Sequence, residues 1–488
     1  MKGRVNTDSD CMWGAKSIVL KCDVFRLCTI KVVSIIVWLL SRKSRYNPRL
    51  GSGFLAGCPK LLATPAGKFL LQHAMASVDP LRDLNVEVDL ATQSLLLAAA
   101  NHDVRAVRDL LRTTPATVQD ADTGFTPLHA AIAAFDDADD EDEVADTDLN
   151  GVPAADQEEI RKRELEAAQE TVRVLLQHGA IWNDLDNNDE TPGCIAWRLG
   201  LKGLYELIVD AGVRAELLLT RMGEYQLLAD DDGEAEAEDE EQEENSQVSG
   251  QQESNQQSST APADPSASNQ AYLSSNLTFT PTNLLDSATN GVMMSWETPI
   301  MERHASLLLP KESLRVLNIG HGLGIIDNFF QSHSPSTHHI IEAHPDVLGR
   351  MKQQGWYDKP GVVVHEGRWQ DILPKLARDE GELVFDAIFF DTFAEDYSAL
   401  REFFSEFVVQ FLDSEGKFSY FNGLGADRQV CYDVYIKVAE MDLFEAGFDV
   451  DWEESKVEDL QERGEWTGIR RPYWNLDTYK LPTCTFVS

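Results

Sequence analysis

Three closely spaced glycines follow a short apolar stretch in the second half of the chain. Residues Arg315–Ile319 have the apolar character of a strand, and Gly320, Gly322 and Gly324 come directly after them. Glycine lets the backbone turn tightly and approach a ligand closely, so the pattern predicts a nucleotide-binding turn between a strand and a helix. A Gly-x-Gly turn alone is a weak signal, and the third glycine comes one position early for the usual dinucleotide fingerprint.

Carboxylates stand at the ends of the strands predicted to follow. Glu342 ends one apolar stretch, Asp371 comes after the next, and Asp391 ends the fourth. Ligands of parallel α/β sheets bind at the carboxyl ends of the strands, so these acids and the glycine turn are expected to converge. An acid in the place of Glu342 can accept hydrogen bonds from both ribose hydroxyls, in a nicotinamide dinucleotide or in S-adenosylmethionine alike.

The elements that position these residues alternate between strand and helix patterns from residue 271 onward. The predicted strands are Arg315–Ile319, His338–Glu342, Gly361–His365, Phe385–Asp391 and Gly416–Asn422. Such alternation is typical of a doubly wound, largely parallel sheet. Residues 271–488 are therefore predicted to form a Rossmann-like α/β domain.

A helical, repetitive pattern precedes this domain over residues 76–215. The pairs Thr126-Pro127 and Thr191-Pro192 lie 65 residues apart, close to two periods of the ankyrin repeat, which is about 33 residues long. The first pair continues as Thr-Pro-Leu-His-Ala-Ala, whereas the second has Gly193-Cys194 in place of Leu-His, and the acidic stretch Asp136–Asp148 disturbs the spacing. The segment resembles a short ankyrin array. Its role is either partner binding or structural support of the following domain.

The charge and the cysteine spacing of the chain indicate which partners and which compartment to expect. The 488-residue chain has a formal net charge of −40, which argues against binding a nucleic-acid backbone and favours basic partners. Residues 216–270 are rich in acids, Gln and Ser, so they are predicted to be a disordered linker. The seven cysteines are irregularly spaced and contain no CxxC pair, which indicates a reducing compartment and no metal site.

Residues 1–75 leave two interpretations open. The apolar stretch Leu27–Leu40 contains Lys31 and is shorter than the roughly 20 residues of a membrane-spanning helix, but it has the character of a signal peptide or anchor. Alternatively, translation begins at Met75 and the preceding residues are an extension outside the functional protein.

Several motifs of the α/β domain resemble the guanidinoacetate N-methyltransferases. They are Val292–Met301 with its Trp-Glu-Thr-Pro core, Ile341-Glu342, Gly367–Asp371 and Phe390–Thr392. With the repeats before them, the chain from about residue 76 resembles the fungal protein arginine N5-methyltransferases. This resemblance implies a class I methyltransferase domain after an all-α ankyrin region, with S-adenosylmethionine as the cofactor.

The resemblance also implies which residues surround the cofactor. They are Tyr272, Met301, His321, Gly322, Leu323, Gly324, Ile325, Ile326, Glu342, Ala343, His344, Trp369, Gln370 and Asp391, to which the strand-end argument adds Asp371. For catalysis we predict Glu297 and Asp391, because carboxylates can hold a guanidinium in two places and can accept its proton.

Three functions remain open. The first is methylation of the δ nitrogen (N5) of arginine in a protein, and the resemblance implies a ribosomal protein as that substrate. The second is methylation of a small guanidino compound, and the third is an adaptor without activity. For the first we expect a monomer in the cytoplasm and nucleus, without membrane association.

Overall fold

The computed structural model describes residues 89–136, 154–231, 269–379 and 383–487. The predictions for residues 1–75, for most of the acidic insertion and for the linker after residue 231 lie outside the described residues.

Six described helices form the N-terminal region. They are α1 (Leu90–Ala100), α2 (Val104–Leu110), α3 (Pro127–Ala133), α4 (Ala154–Gln177), α5 (Pro192–Arg198) and α6 (Lys202–Asp231). The boundary predicted at residue 216, where the linker was expected to begin, is wrong, because α6 continues to Asp231.

The second region contains a seven-stranded sheet and a small three-stranded sheet. The strands are β1 (Thr278–Phe279), β2 (Asn283–Leu285), β3 (Gly291–Met294), β4 (Arg315–Ile319), β5 (Thr337–Glu342), β6 (Val362–Glu366), β7 (Phe385–Phe390), β8 (Leu412–Tyr420), β9 (Phe448–Lys456) and β10 (Thr478–Phe486). The large sheet has the order β6-β5-β4-β7-β8-β10-β9, with β10 antiparallel to both of its neighbours. The Rossmann-like fold is thus confirmed, with an antiparallel edge that the sequence did not predict.

Helices cover the large sheet and connect its parallel strands. They are α7 (Asn269–Leu273), α8 (Thr298–Leu308), α9 (Ile325–Ser332), α10 (Pro345–Gln353), α11 (Trp369–Asp379), α12 (Tyr397–Glu402), α13 (Val409–Phe411) and α14 (Gln429–Glu445). A π-helical segment, Phe403–Val408, joins α12 to α13, and a 3-10 turn, Ser295–Glu297, leads into α8. Within the described ranges, no helix combines the length and the hydropathy that crossing a membrane requires.

The strand order places two of the predicted motifs side by side. The chain runs from β4 outward to β5 and β6, then returns to β7 on the other side of β4. The connections after β4 and β7 therefore lead to opposite sides of the sheet, to β5 and to β8, and ligands of open α/β sheets bind in the crevice at such a switch point, at the carboxyl end of the strands. The glycine turn follows β4 and Asp391 follows β7, so both border this crevice.

The two Thr-Pro pairs begin short helices in the same way. The Thr126 hydroxyl caps α3 and is 2.8 Å from Nδ1 of His129, and Nε2 of that histidine lies 3.1 Å from the Glu190 carbonyl oxygen, just before the second pair. Thr191 caps α5 by accepting from the backbone N–H of Cys194 at 3.2 Å. The threonine side chains satisfy backbone donors that a helix start leaves unpaired.

The helical region packs directly on the sheet domain through α6 and α14. The Tyr205 hydroxyl donates to Asp433 Oδ2 at 2.6 Å, and the Tyr435 hydroxyl donates to Glu216 Oε2 at 3.2 Å. Between these contacts, a Cβ atom at Gly212 would lie 2.7 Å from the side chain of Val434. This close approach explains why Gly212 stands in the middle of α6, although a glycine there otherwise weakens a helix. The two regions therefore share one hydrophobic core.

The same packing explains why the second Thr-Pro motif departs from the repeat pattern. At Gly193, where leucine is expected, a Cβ atom would lie 2.5 Å from Cγ2 of Val430 in α14. Gly193→Ala is expected to lower the free energy of unfolding by roughly 1–3 kcal/mol, because a buried helix pair must separate to admit the methyl group. Chemical denaturation measures the change.

Gly349→Ala is the matched control for this substitution. Gly349 also lies in a helix, α10, but no heavy atom outside its neighbourhood in the chain lies within 4 Å of the added Cβ. This change should leave the protein as stable or stabilise it by about 0.5–1 kcal/mol, the ordinary helix preference for alanine. Equal effects of the two substitutions would show that the packing at Val430 is not tight.

Candidate active site

A cleft lies at the carboxyl ends of β4, β5 and β7. It encloses about 620 Å³ of space between protein atoms, including the part that is open to solvent. Its lining residues are Asn269, Tyr272, Leu273, Val292, Met293, Ile319, Gly320, Gly322, Ile341, Glu342, Ala343, Gly367, Arg368, Trp369, Gln370, Asp391, Thr392, Phe393 and Glu395.

The structure brings about half of the predicted cofactor residues into this lining. They are Tyr272, Gly322, Glu342, Ala343, Trp369, Gln370 and Asp391. His321 and His344 support the lining through hydrogen bonds to Glu342 and Tyr272, and the backbone N–H of Leu323 donates to the sulfur of the lining residue Met293 at 3.3 Å. Gly324 follows as the last residue before α9. Met301 and Ile326 are buried in the hydrophobic core, Ile325 packs against that core, and Asp371 is exposed on α11. The lining does not include these four side chains, because helix geometry turns them away from the crevice.

The glycine turn needs glycine for two separate reasons. Gly320 has φ +90°, and a Cβ there would lie 1.9 Å from the Asp391 carbonyl oxygen. Gly322 has φ +54°, and its Cβ would lie 2.9 Å from the Met293 sulfur. Gly324, with φ +76°, is the residue before α9. Side chains would strain this backbone, and they would collide with the loop after β7 at Gly320 and with Met293 of β3 at Gly322.

Glu342 holds the glycine turn through its carboxylate. Oε2 accepts from the backbone N–H of His321 at 2.9 Å and of Gly322 at 3.4 Å, and Oε1 accepts from the backbone N–H of His344 at 2.7 Å. A carboxylate has about four lone-pair sites, so a ligand hydroxyl can still bind to it. Glu342 therefore orders the turn as well as facing the cleft.

We expect Glu342→Ala to weaken the binding of S-adenosylhomocysteine, the demethylated form of the cofactor, by about 10–100-fold. Loss of charge-assisted hydrogen bonds costs roughly 1.5–3 kcal/mol, and here it also releases the turn. Isothermal titration calorimetry measures the affinity. Asp371→Ala is the control, because this acid is exposed on α11 and should leave binding unchanged. Equal losses in both variants would contradict the placement of the ribose site at Glu342.

A buried cluster of one aspartate and two histidines supports the turn from below. Nδ1 of His321 lies 2.6 Å from Oδ2 of Asp327, and Nε2 of His338 lies 2.9 Å from Oδ1 of the same carboxylate. Asn318 donates to that Oδ1 at 2.8 Å. These partners, led by the charge interaction with His321, outweigh burial and keep the pKa of Asp327 below its usual range. The side chain of His321 thus anchors the loop, while its backbone contacts Glu342.

Tyr272 brings the short helix α7 over one side of the cleft. Its ring packs on His344 and Phe393, with centroids 4.8 and 4.9 Å away. Nδ1 of His344 accepts from the backbone N–H of Asp346, so Nε2 carries the proton and donates to the Tyr272 carbonyl oxygen at 3.1 Å. Asn269 adds a hydrogen bond to the Phe393 carbonyl oxygen at 3.2 Å.

Glu297 and Asp391 are the two candidate catalytic acids, and both are poorly hydrated. Burial, followed by repulsion from Asp391, raises the pKa of Glu297 to about 8. Burial, followed by the charges of Asp327 and Glu342, raises the pKa of Asp391 to about 7. Asp391 lines the cleft, whereas Glu297 is only 3% exposed and lies outside that lining. Carboxylates kept from water favour a cationic ligand that restores their charge balance.

An aromatic segment between β9 and β10 covers Glu297, and the sequence did not predict it. The Tyr473 hydroxyl donates to Glu297 Oε1, which also accepts from the backbone N–H of Met294 at 3.0 Å. Trp296 donates from Nε1 to the Tyr473 hydroxyl at 3.1 Å, and Trp466 packs edge-on against the same tyrosine at 5.1 Å. These aromatic residues form an apolar wall around the carboxylate.

Several lining residues also escaped sequence reasoning. Among them are Asn269, Met293, Arg368, Thr392 and Glu395. Thr392 belongs to the Phe390–Thr392 motif, and Met293 and Arg368 lie within Val292–Met301 and Gly367–Asp371, so these motifs contain the residues without indicating a role for them. Glu395 lies in a loop without periodicity, and only its position after a strand could have indicated it.

The cleft fits the expected cofactor on its own chemistry. Glu342 can accept from ribose hydroxyls, and Gly320, Gly322 and Asp391 line the cleft beside it. Gln370 offers a buried carbonyl oxygen, Oε1, that has no hydrogen-bond partner within the part of the chain that the structure describes. A buried acceptor of this kind is costly unless a ligand donates to it.

Comparison with known proteins identifies the family. Residues 268–463 match the family model of guanidinoacetate N-methyltransferase. The chain is 55% identical to protein arginine N-methyltransferase 2 of Aspergillus fumigatus over 430 residues, covering 84% of this chain and 99% of the relative. It is 54% identical to the protein of that name from Emericella nidulans, covering 82% and 98%.

Among solved structures, the O-methyltransferase TomG from Streptomyces achromogenes in complex with SAM is similar, with 16% identity and a TM-score of 0.29 over 39% of this chain and 80% of that chain. The resemblance found in the sequence is confirmed by the relatives, which match across both regions. The chain belongs to the protein arginine N-methyltransferase 2 family.

Proposed function

We propose that this chain uses S-adenosyl-L-methionine to methylate the δ nitrogen of an arginine in a protein substrate. The observation that carries the proposal is a pair of poorly hydrated carboxylates: Asp391 beside the glycine turn in the cleft, and Glu297, which is buried near enough to Asp391 for the two charges to repel. Both lie within the part of the chain that matches the guanidinoacetate N-methyltransferase model. The names of the relatives, protein arginine N-methyltransferase 2, support a guanidinium in a protein as the acceptor.

The two carboxylates would bind, orient and deprotonate the guanidinium. S-adenosylmethionine, when bound, supplies an electrophilic methyl group on its sulfonium sulfur. Arginine is a poor nucleophile because its guanidinium stays protonated in water. Glu297 and Asp391 on the two terminal nitrogens would draw positive charge away from the third nitrogen, and one of them would accept the proton that leaves. The product keeps one positive charge and has one N–H donor fewer.

The choice of the δ nitrogen rests on the guanidinoacetate-like geometry. In guanidinoacetate the methylated nitrogen is the one that carries the acetate arm. An arginine held by the same two acids would present its substituted nitrogen, the δ nitrogen, in the same place. The apolar wall of Trp296, Trp466 and Tyr473 beside Glu297 suits the methylene groups of an arginine side chain.

A ribosomal protein is the proposed substrate, in the cytoplasm and nucleus, and both parts rest on the family resemblance. The net charge of −40 favours encounter with a basic protein. The N-terminal helices would form an ankyrin-type array that contributes to recognition. Their capping pattern, in which two threonine-proline pairs are bridged by His129, supports this assignment.

The test is to incubate the whole chain with methyl-labelled cofactor and either extract protein or guanidinoacetate. We expect label in protein, and fragmentation mass spectrometry should show that the methyl group is not lost with the terminal guanidine fragments. Label only in guanidinoacetate would instead support a small-molecule enzyme, and label in neither would support an adaptor. Terminally methylated arginine alone would contradict the geometric argument for the δ nitrogen.

A further inference from the structure

Glu395 collects three hydrogen bonds from residues that line the cleft. Its Oε2 accepts from Nε1 of Trp369 at 3.1 Å and from the Thr392 hydroxyl at 2.7 Å. Its Oε1 accepts from Nε2 of Gln370 at 2.9 Å. Trp369 and Gln370 begin α11, whereas Thr392 and Glu395 follow β7, so one carboxylate ties together two walls of the cleft.

The loop conformation directs Glu395 toward the cleft. Ala394 has φ +58°, a left-handed conformation that residues other than glycine rarely adopt. Such strain persists only where surrounding contacts compensate for it. Here the three hydrogen bonds to the next residue supply that compensation, so the loop is built to hold a carboxylate at this point.

The carboxylate fixes which way the Gln370 amide points. A carboxylate oxygen accepts hydrogen bonds, so the NH2 group of Gln370 must face Glu395. Its Oε1 must then face away, where it is buried and has no hydrogen-bond partner among the described residues. Leaving a buried acceptor unpaired costs about 1–3 kcal/mol. The arrangement therefore fixes the direction of an unpaired acceptor on a residue that lines the cleft, and a ligand that donates to it would remove this cost.

We propose that Glu395 is a positioning residue that makes Gln370 specific for a purine bearing an exocyclic amino group. The inference rests on the proposed function, because the adenine of the cofactor carries such a group at position 6. A 6-oxo purine offers an acceptor at the same place, and two acceptors repel. Sites that bind one hydrogen-bonding pattern reject the opposite one strongly, because their buried polar groups would stay unpaired.

The test compares two ligands on the whole protein by calorimetry: S-adenosylhomocysteine and its 6-oxo analogue, S-inosylhomocysteine. We expect the wild-type protein to favour the adenosyl ligand by about 100-fold, in line with a hydrogen-bond mismatch in a buried site. In Glu395→Gln the new amide can donate or accept, so Gln370 is free to turn its amide over. The preference should then fall to about 10-fold or less, mostly through better binding of the inosyl ligand.

Two further variants keep the test independent of folding defects. Asp396→Asn changes the neighbouring acid, which is exposed and caps α12, and should leave the preference unchanged. Gln370→Met removes the amide itself and should reduce the preference as Glu395→Gln does. An unchanged ratio in Glu395→Gln, or equal weakening of both ligands, would overturn the inference. Failure of the wild-type protein to bind S-adenosylhomocysteine at all would instead overturn the proposed function.

Discussion

Glu297→Gln and Asp391→Asn are each expected to lower the methyl-transfer rate by about 10²-fold or more. Each change nearly preserves the shape of the side chain but removes the charge that holds the guanidinium and accepts its proton. Glu302→Gln is the matched control, because this acid lies on α8 with an exposed side chain. Labelled-methyl assays at saturating cofactor measure the rate. Rates within threefold of the wild type for both variants would remove these acids from the mechanism.

The pH dependence follows from the same two groups. Since the pKa of Glu297 is raised to about 8 and that of Asp391 to about 7, both acids lose their charge as pH falls through this range. The kcat/KM of the wild-type protein should therefore decline on the acid side, with a limb between pH 7 and 8. A flat profile from pH 6 to 9 would contradict the role of these carboxylates.

The contribution of Glu297 to the free energy of unfolding should change with pH in the opposite sense from kcat/KM, because it falls as pH rises. A carboxyl group whose pKa is raised in the folded state contributes stability that is fully present below its unfolded pKa of about 4.5 and is lost as pH rises through about 8. The neutral amide of Glu297→Gln avoids this loss. The Tm of the variant should exceed that of the wild type at pH 9, and the difference should shrink toward pH 5.

Gly320→Ala should abolish both cofactor binding and activity. The added Cβ would lie 1.9 Å from the Asp391 carbonyl oxygen, far inside the contact distance of real atoms. Backbone cannot move aside as a flexible side chain can, so the loops after β4 and β7 must separate. The expected loss is at least 10²-fold in affinity for S-adenosylhomocysteine and in rate, because small displacements of reacting groups already cost this much.

Gly447→Ala separates this clash from backbone strain alone. Gly447 has φ +91°, nearly the same as Gly320, but nothing lies within 4 Å of an added Cβ. The control should lose about 1–2 kcal/mol of stability, the usual cost of a left-handed conformation, and should keep its activity. If Gly447→Ala weakens the binding of S-adenosylhomocysteine as much as Gly320→Ala does, the close approach of the two loops is not the reason why position 320 requires glycine.

Packing between the two regions limits what truncation can show. Removal of the helical region would expose Val430 and Val434 of α14, which are 1% and 0% exposed in the whole chain. Loss of activity in such a fragment would therefore report on stability as well as recognition. Substitutions on exposed faces of the helices, such as Leu97→Ala on α1 at 59% exposure, test recognition without disturbing this core.

Local patterns were enough to predict the glycine turn and the acids that line the cleft. The strand β4, its glycine turn, and the acids Glu342 and Asp391 each follow from residues adjacent in sequence, because a strand-turn-helix unit is recognisable within about 15 residues. Parallel strands then bring their carboxyl ends together without any further information. The same logic predicted Asp371 beside these residues, whereas the structure places it on the exposed face of α11, because the position of a side chain on a helix depends on where the helix begins.

Contacts between residues that are far apart in the sequence decided the remaining features of the site and of the packing between the two regions. Glu297 owes its burial to Tyr473, which lies 176 positions away, and to aromatic neighbours that no short motif connects to it. Gly193 departs from the repeat pattern because of Val430 in the other region, and the Gln370 amide takes its direction from Glu395 across the cleft. The sequence by itself thus determined which chemical groups meet at the sheet edge. Only tertiary packing decided which of them are desolvated, oriented and held, because these properties depend on neighbours that the chain brings together from afar.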